Sequence, residues 1–259
     1  MKPKTALAIA ASIVLALVVA DAFVVYQLED PTKYVAHSAL RALAQGIAAV
    51  AAGVVAARFR WLTEYVGRAW TLLFLFYTLL AVSYVLNRAG IGSPAMMDVA
   101  TIIANVAAIG AFWLFGRALR VAGLQFYGPA VVKIVVFLAA IAVACALVMP
   151  TVVDVWLSDA GRLSRTADLV SAVADMLTFI LVAPLLLTLW AFRGGQLSWV
   201  YGCLALSTIG WMINQAANDL LPAVAIRDAQ MTGLFLACLA VAAAAFSQLA
   251  TSRSGAANV

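Results

Sequence analysis

The sequence predicts an all-α, polytopic membrane helical bundle of about eight transmembrane helices, arranged as four hairpins with both termini cytoplasmic. Three observations carry this. The 259 residues are 66% hydrophobic and only 10% charged, whereas soluble domains carry about 25% charged residues. Apolar runs near the length that crosses a hydrocarbon core about 30 Å thick recur along the whole chain, joined by short connections. The basic residues also gather on one side of that alternation. Lys2, Lys4, Arg58, Arg60, Arg68, Arg117, Arg120, Lys133, Arg193 and Arg253 share a side with Glu64 as its single acid. The opposite side carries ten acids against Lys33, Arg41, Arg88, Arg162, Arg165 and Arg227. By the positive-inside rule the first side is cytoplasmic. Trp61, Trp70, Trp113, Trp190 and Trp199 fall near that inner boundary, where an interfacial belt is expected.

The spans follow in order. Residues 5–28 form the first, although MKPKTALAIAASIVLALVVADA also has the basic start, apolar run and Ala-x-Ala ending of a signal peptide. Cleavage after Ala22 would leave seven spans. The second, 35–57, repeats His37, Arg41 and Gln45 at i, i+4 and i+8, so the three share a face. Its small residues, Ala42, Gly46 and Val50 and again Ala49, Gly53 and Ala57, suit close helix approach. The third, 66–87, brings Ser83 and Asn87 to its outer end. The fourth, 96–119, follows Ser93-Pro94, an N-cap and a first-turn proline, and carries Asp98, Thr101 and Asn105. The fifth, 130–149, is almost wholly apolar. The sixth, 168–190, is apolar enough to cross a bilayer yet holds Asp168, Ser171, Asp175 and Thr178 as one polar stripe. A carboxylate there costs on the order of 2.5–3.5 kcal/mol even on insertion scales, so a partner is expected. The seventh, 198–218, sets Ser207, Trp211, Asn214 and Asn218 on one stripe with Gln215 beside it. The eighth, 229–250, ends in an alanine run.

Several function classes drop out. Cys145, Cys203 and Cys238 stand singly in apolar segments, and His37 is the one histidine. A disulfide framework, a zinc site and bis-histidine haem ligation are therefore not expected, and no cofactor is. The basic residues orient helices rather than bind nucleic acid. HExxH, GxSxG, Walker and DxxD signatures are absent. Asp168 and Asp175 are two turns apart, about 10 Å along a helix, too far to share a metal or proton.

The polar residues concentrate in the outer third to half of their spans. The expected ligand-binding set is His37, Arg41, Gln45, Asn105, Ser171, Asp175, Trp211 and Asn214, lining a hydrated cavity open to the periplasm. Arg41 and Asp175 are expected to form a structural ion pair, with Asp98 of the fourth span and Asp21 of the first as the other carboxylates in reach of Arg41, since a charge alone is costly in hydrocarbon. The plainer account is that such residues only orient helices or snorkel to the interface.

The chain reads as one transmembrane domain, 1–259. Hairpin 66–119 places Trp70, Asn87 and Asp98 much as 198–250 places Trp199, Asn218 and Asp228, which suggests an internal duplication. At Arg68, Trp70, Asn87 and Asp98, and again at Asp168, Asp175, Trp199 and Asn218, residues 66–250 resemble the multi-helix membrane sensor modules of bacterial histidine kinases and diguanylate cyclases. No kinase or cyclase output domain lies within these residues. The resemblance implies a non-enzymatic sensor or receptor module of the inner membrane, or a subunit of a larger complex, with a small or amphipathic ligand and a protein partner or second copy. A small transporter or proton-conducting subunit using Asp175 and Arg41 comes second. An intramembrane enzyme acting on a lipid, with Asp175 as general base, comes third.

Overall fold

A computed structural model describes residues 3–29, 32–124, 128–191, 196–220 and 223–256. All of Lys2, Asp30 and Arg193, and the side chains of Lys4, Trp190, Asn218, Asp219, Arg227 and Arg253, lie outside what it describes. The described residues form helices α1 (Pro3–Gln27), α2 (Thr32–Arg58), α3 (Tyr65–Arg88), α4 (Pro94–Val121), α5 (Ala130–Leu157), α6 (Arg162–Ala191), α7 (Gln196–Leu220) and α8 (Ala223–Ala256), with no strand among them. Among the described residues, six helices contain segments long and apolar enough to cross a membrane, α2, α3, α4, α5, α6 and α8. In α1 the described apolar segment is the shorter Ala16–Gln27. The described part of α7 is not among the six and carries Ser207, Thr208, Asn214 and Gln215.

Local chemistry explains the helix ends. The Ser93 hydroxyl accepts from the Met96 backbone N–H, and Pro94 fills the first helical position of α4. The α2 helix ends in a tight reversal in which Trp61 N–H donates to Ala56 O and Arg60 N–H to Ala57 O. Arg60 and Trp61 both adopt positive φ there, 54° and 48°, and the Arg68 Nε donates to Leu62 O to hold the loop on α3. Two helices are longer than the apolar runs suggest. The α5 helix continues through Pro150 to Leu157, and α6 begins at Arg162. A proline inside a helix removes one backbone hydrogen bond, and membrane helices accommodate this by local adjustment.

Neighbour relations close into a ring, α2–α3–α4–α6–α7–α8 and back to α2. The α1 helix leans on α2 and α8 from outside, and α5 on α6 and α7, while α4 and α5 do not touch backbone to backbone. Aromatic side chains fill the ring. Trp70 meets Phe115 edge to face at 5.4 Å, Phe115 meets Tyr201 at 6.2 Å, and Phe76 meets Trp211 at 5.6 Å, so α3 and α4 are bridged to α7 through side chains. Such pairs contribute about 0.5–1.5 kcal/mol each beyond burial.

The tightest approach is between α7 and α8 at two glycines. A Cβ on Gly210 would lie 2.6 Å from Gly233 O, and one on Gly233 would lie 2.6 Å from Gly210 O. Only the absence of side chains lets these backbones meet. Gly53 likewise makes room for Phe74, whose ring stands 3.0 Å from where a Cβ would sit. The other small-residue ladder of α2 does something else. Ala42, Gly46 and Val50 line an open apolar groove with Phe246 and Leu249, and nothing lies near Gly46.

Candidate functional site

The polar residues expected to meet in one outer cavity are divided between two clusters, one along α2 and one on α6 and α7. The first lies where α1, α2 and α8 meet. His37 Nδ1 stands 2.8 Å from Asp21 Oδ1, both buried, so that the last turns of α1 tie to the first turns of α2. Near the same end Lys33 Nζ pairs with Asp228 Oδ1 at 2.6 Å, joining α2 to the start of α8. One turn inward from His37, the half-buried Arg41 places its guanidinium over the Tyr84 ring, 5.3 Å from the centroid. One turn further, Gln45 is 1% exposed. His37 Nε2, Arg41 Nε and Gln45 Oε1 are all buried without a hydrogen-bond partner. Three such atoms on one face of one helix make the largest concentration of unmet polar capacity among the described residues, since an unmade buried bond costs about 1–3 kcal/mol.

The second cluster lies among α3, α6 and α7. Gln215 Nε2 donates to Asp175 Oδ2 at 2.9 Å, and Thr178 Oγ1 donates to the Asp175 carbonyl at 3.1 Å. Tyr77 Oη stands 3.4 Å from Ser207 Oγ, and Trp211 flanks the same hydroxyl. Ala108, Phe112 and Leu73 close the surroundings, and the free volume left is about 10 Å³, on the order of one water and no more. This cluster is packed shut, not a hydrated cavity.

Arg41 and Asp175 are not an ion pair. Their helices are not neighbours: α2 meets α1, α3 and α8, whereas α6 meets α4, α5 and α7. Each therefore took a local solution, Arg41 the ring of Tyr84 and Asp175 the amide of Gln215. Of the remaining expected ligand residues, Asn105 is buried and its Nδ2 donates to Thr101 O within its own helix. Ser171 is half-buried one turn above Asp175. Half-buried Trp211 belongs to the aromatic filling of the ring. The Asn214 carbonyl accepts from Gln230 Nε2 at 3.4 Å across the α7–α8 contact. Asp168 is exposed, close enough to Asp98 for the two carboxylates to repel.

Trp70 departs from the interfacial belt, being fully buried against Phe115, while Trp61, Trp113 and Trp199 are exposed. The two tryptophans of the suggested repeat thus sit in opposite environments, 0% and 69% exposed. Two residues have roles the spacing did not assign, Tyr77, and Asp21, which pairs with His37 and not with Arg41. The second had a signal: Asp21 is six residues before the end of α1 and His37 five after the start of α2, so a hairpin sets them at equal depth. Tyr77 had none, because its aromatic neighbours in the sequence read as core.

The described surface grooves differ in chemistry. Those along α1/α2 and α2/α8 are lined by apolar side chains alone. One between α4 and α5, floored by α6, also has Arg120 and Lys133 at its rim.

No family model matches the chain, and neither a curated protein nor a solved structure matches it.

Proposed function

We propose that this multi-pass protein resides in a bacterial inner membrane with eight spans and cytoplasmic termini, and works without catalysis as a ligand-responsive receptor module resembling the membrane sensor regions of histidine kinases and diguanylate cyclases. The ligand enters from the periplasmic side and meets the α2 stripe. What supports this is one observation: His37 Nε2, Arg41 Nε and Gln45 Oε1 have unmet hydrogen-bonding capacity at successive turns of one face. Arg41 Nε is a donor and Gln45 Oε1 an acceptor, so the complementary head group offers an acceptor and a donor about 6 Å apart, the rise of four helical residues.

Access requires movement of α1, whose contacts among the described residues are with α2 and α8. A ligand that fits the displaced arrangement better than the closed one shifts the population toward it, and the shift is read by a partner chain. The transporter reading is weaker because the inner halves of α2 and α8 are alanine and valine at Ala48, Ala52, Val55, Ala56, Ala242, Ala244 and Ala245, all buried. A polar path that stops at Gln45 receives but does not conduct.

The test is extraction of protein purified in mild detergent, with mass spectrometry of what comes off. A small amphipathic molecule is expected from the wild type and not from the Arg41→Ala/Gln45→Ala variant. Identical extracts from both would remove the receptor reading. Ion flux in sealed proteoliposomes, abolished by Arg41→Ala, would move the protein to the transporter class.

A further inference from the structure

The groove between α4 and α5 is the described groove whose lining combines an apolar trough with charge. It holds about 400 Å³ and is floored by α6 around Pro184, within the size range of ligand sites, about 300–1,000 Å³. It exists because α4 and α5 make no backbone contact and both rest on α6. Along α4 its wall runs from Phe112 through Gly116 to Arg120, about 12 Å at about 1.5 Å per residue. One leaflet of hydrocarbon is about 15 Å deep, half of a core of roughly 30 Å. Arg120 closes one end from the last turn of α4, and Lys133 stands at the same end in the first turn of α5. Among the described residues that line the groove there is no carboxylate.

We infer that this groove holds one acyl chain of an anionic phospholipid, with the head-group phosphate against Arg120 and Lys133. The apolar trough accepts any acyl chain, so length and hydrophobicity alone give no preference among lipids. The two cations at one end supply it, because they favour a net negative head group over a zwitterionic one whose ammonium they repel. The site is separate from the α2 stripe and on another face of the ring, so it stands or falls independently of the receptor reading.

Gly116 offers a variant that leaves the fold alone. Nothing lies within 4 Å of a Cβ placed there, and Gly116 lines the trough, so the side chain of Gly116→Leu starts in open space and occupies part of it. The experiment presents full-length protein with equal amounts of phosphatidylglycerol and phosphatidylethanolamine in mixed micelles, followed by graded delipidation and native mass spectrometry. The wild type is expected to retain one phosphatidylglycerol at least fivefold over phosphatidylethanolamine. Arg120→Gln/Lys133→Gln should bring that ratio near one, Gly116→Leu should remove the retained lipid of either kind, and Arg58→Gln, an exposed cation at the end of α2, should change nothing. Equal retention of the two lipids by the wild type overturns the inference. So does a loss in Arg58→Gln as large as in the double variant, or full retention in Gly116→Leu.

Discussion

Nδ1 of His37 and Oδ1 of Asp21 lie 2.8 Å apart in the interior, and this contact fastens the loosely held α1 to the ring. Removing one member of a buried pair strands the other, at about 3–5 kcal/mol in measured cases, whereas replacing both with apolar groups is often neutral. Asp21→Leu is therefore expected to lower stability sharply and Asp21→Leu/His37→Leu to recover most of the loss. Equilibrium unfolding in mixed micelles reads both. A double variant no better than Asp21→Leu alone would mean that the contact does not hold α1.

The two polar clusters predict a pattern of coupling. Asp175 and Gln215 share a hydrogen bond, so a double-mutant cycle with Asp175→Leu and Gln215→Leu should give an interaction energy in the range of about 0.5–3 kcal/mol. The same cycle with Asp175→Leu and Arg41→Leu should be additive within about 0.5 kcal/mol, as for sites without shared partners. Coupling of Asp175 to Arg41 instead of Gln215 would contradict the helix order of the ring.

The glycines divide into those that hold two helices together and those that hold nothing. At Gly210 and Gly233 a methyl group would collide with the facing backbone, and overpacking of this kind costs about 1–3 kcal/mol or more. Gly46 and Gly202 face open space, so alanine there should be neutral or stabilising by up to about 1 kcal/mol, the helical preference of alanine over glycine. Thermal unfolding of Gly210→Ala, Gly233→Ala, Gly46→Ala and Gly202→Ala should fall into those two groups. Equal melting temperatures across all four would show that α7 and α8 do not meet at their glycines.

The proposed orientation rests on the charge distribution and is checked without disturbing the core. Single cysteines at Thr63 and Ala122, in the turns after α2 and α4, are expected to resist a membrane-impermeant thiol reagent in intact cells. Cysteines at Ala89 and Ala160, in the turns after α3 and α5, should react. The reverse labelling would invert the bundle and place the α2 stripe on the cytoplasmic side.

Much of the architecture was legible along the chain. Ser93 and Pro94 announced the start of α4, and the i, i+4, i+8 spacing of His37, Arg41 and Gln45 announced a shared face, because helix geometry is local and repeats every few residues. Depth was legible for the same reason, since each residue adds a fixed rise. Composition alone made the chain a helical membrane protein. Lateral order was not legible. Nothing in the spacing of Arg41 and Asp175 says that α2 and α6 lie on different sides of the ring, that Trp70 turns inward while Trp199 turns outward, or that Gly46 borders a groove and Gly210 a backbone. Apolar helices in lipid gain no hydrophobic energy from choosing one neighbour over another. The choice is made by the fit of particular side chains, at Gly210 against Gly233 and Phe115 between Trp70 and Tyr201, and that fit exists only between helices already side by side.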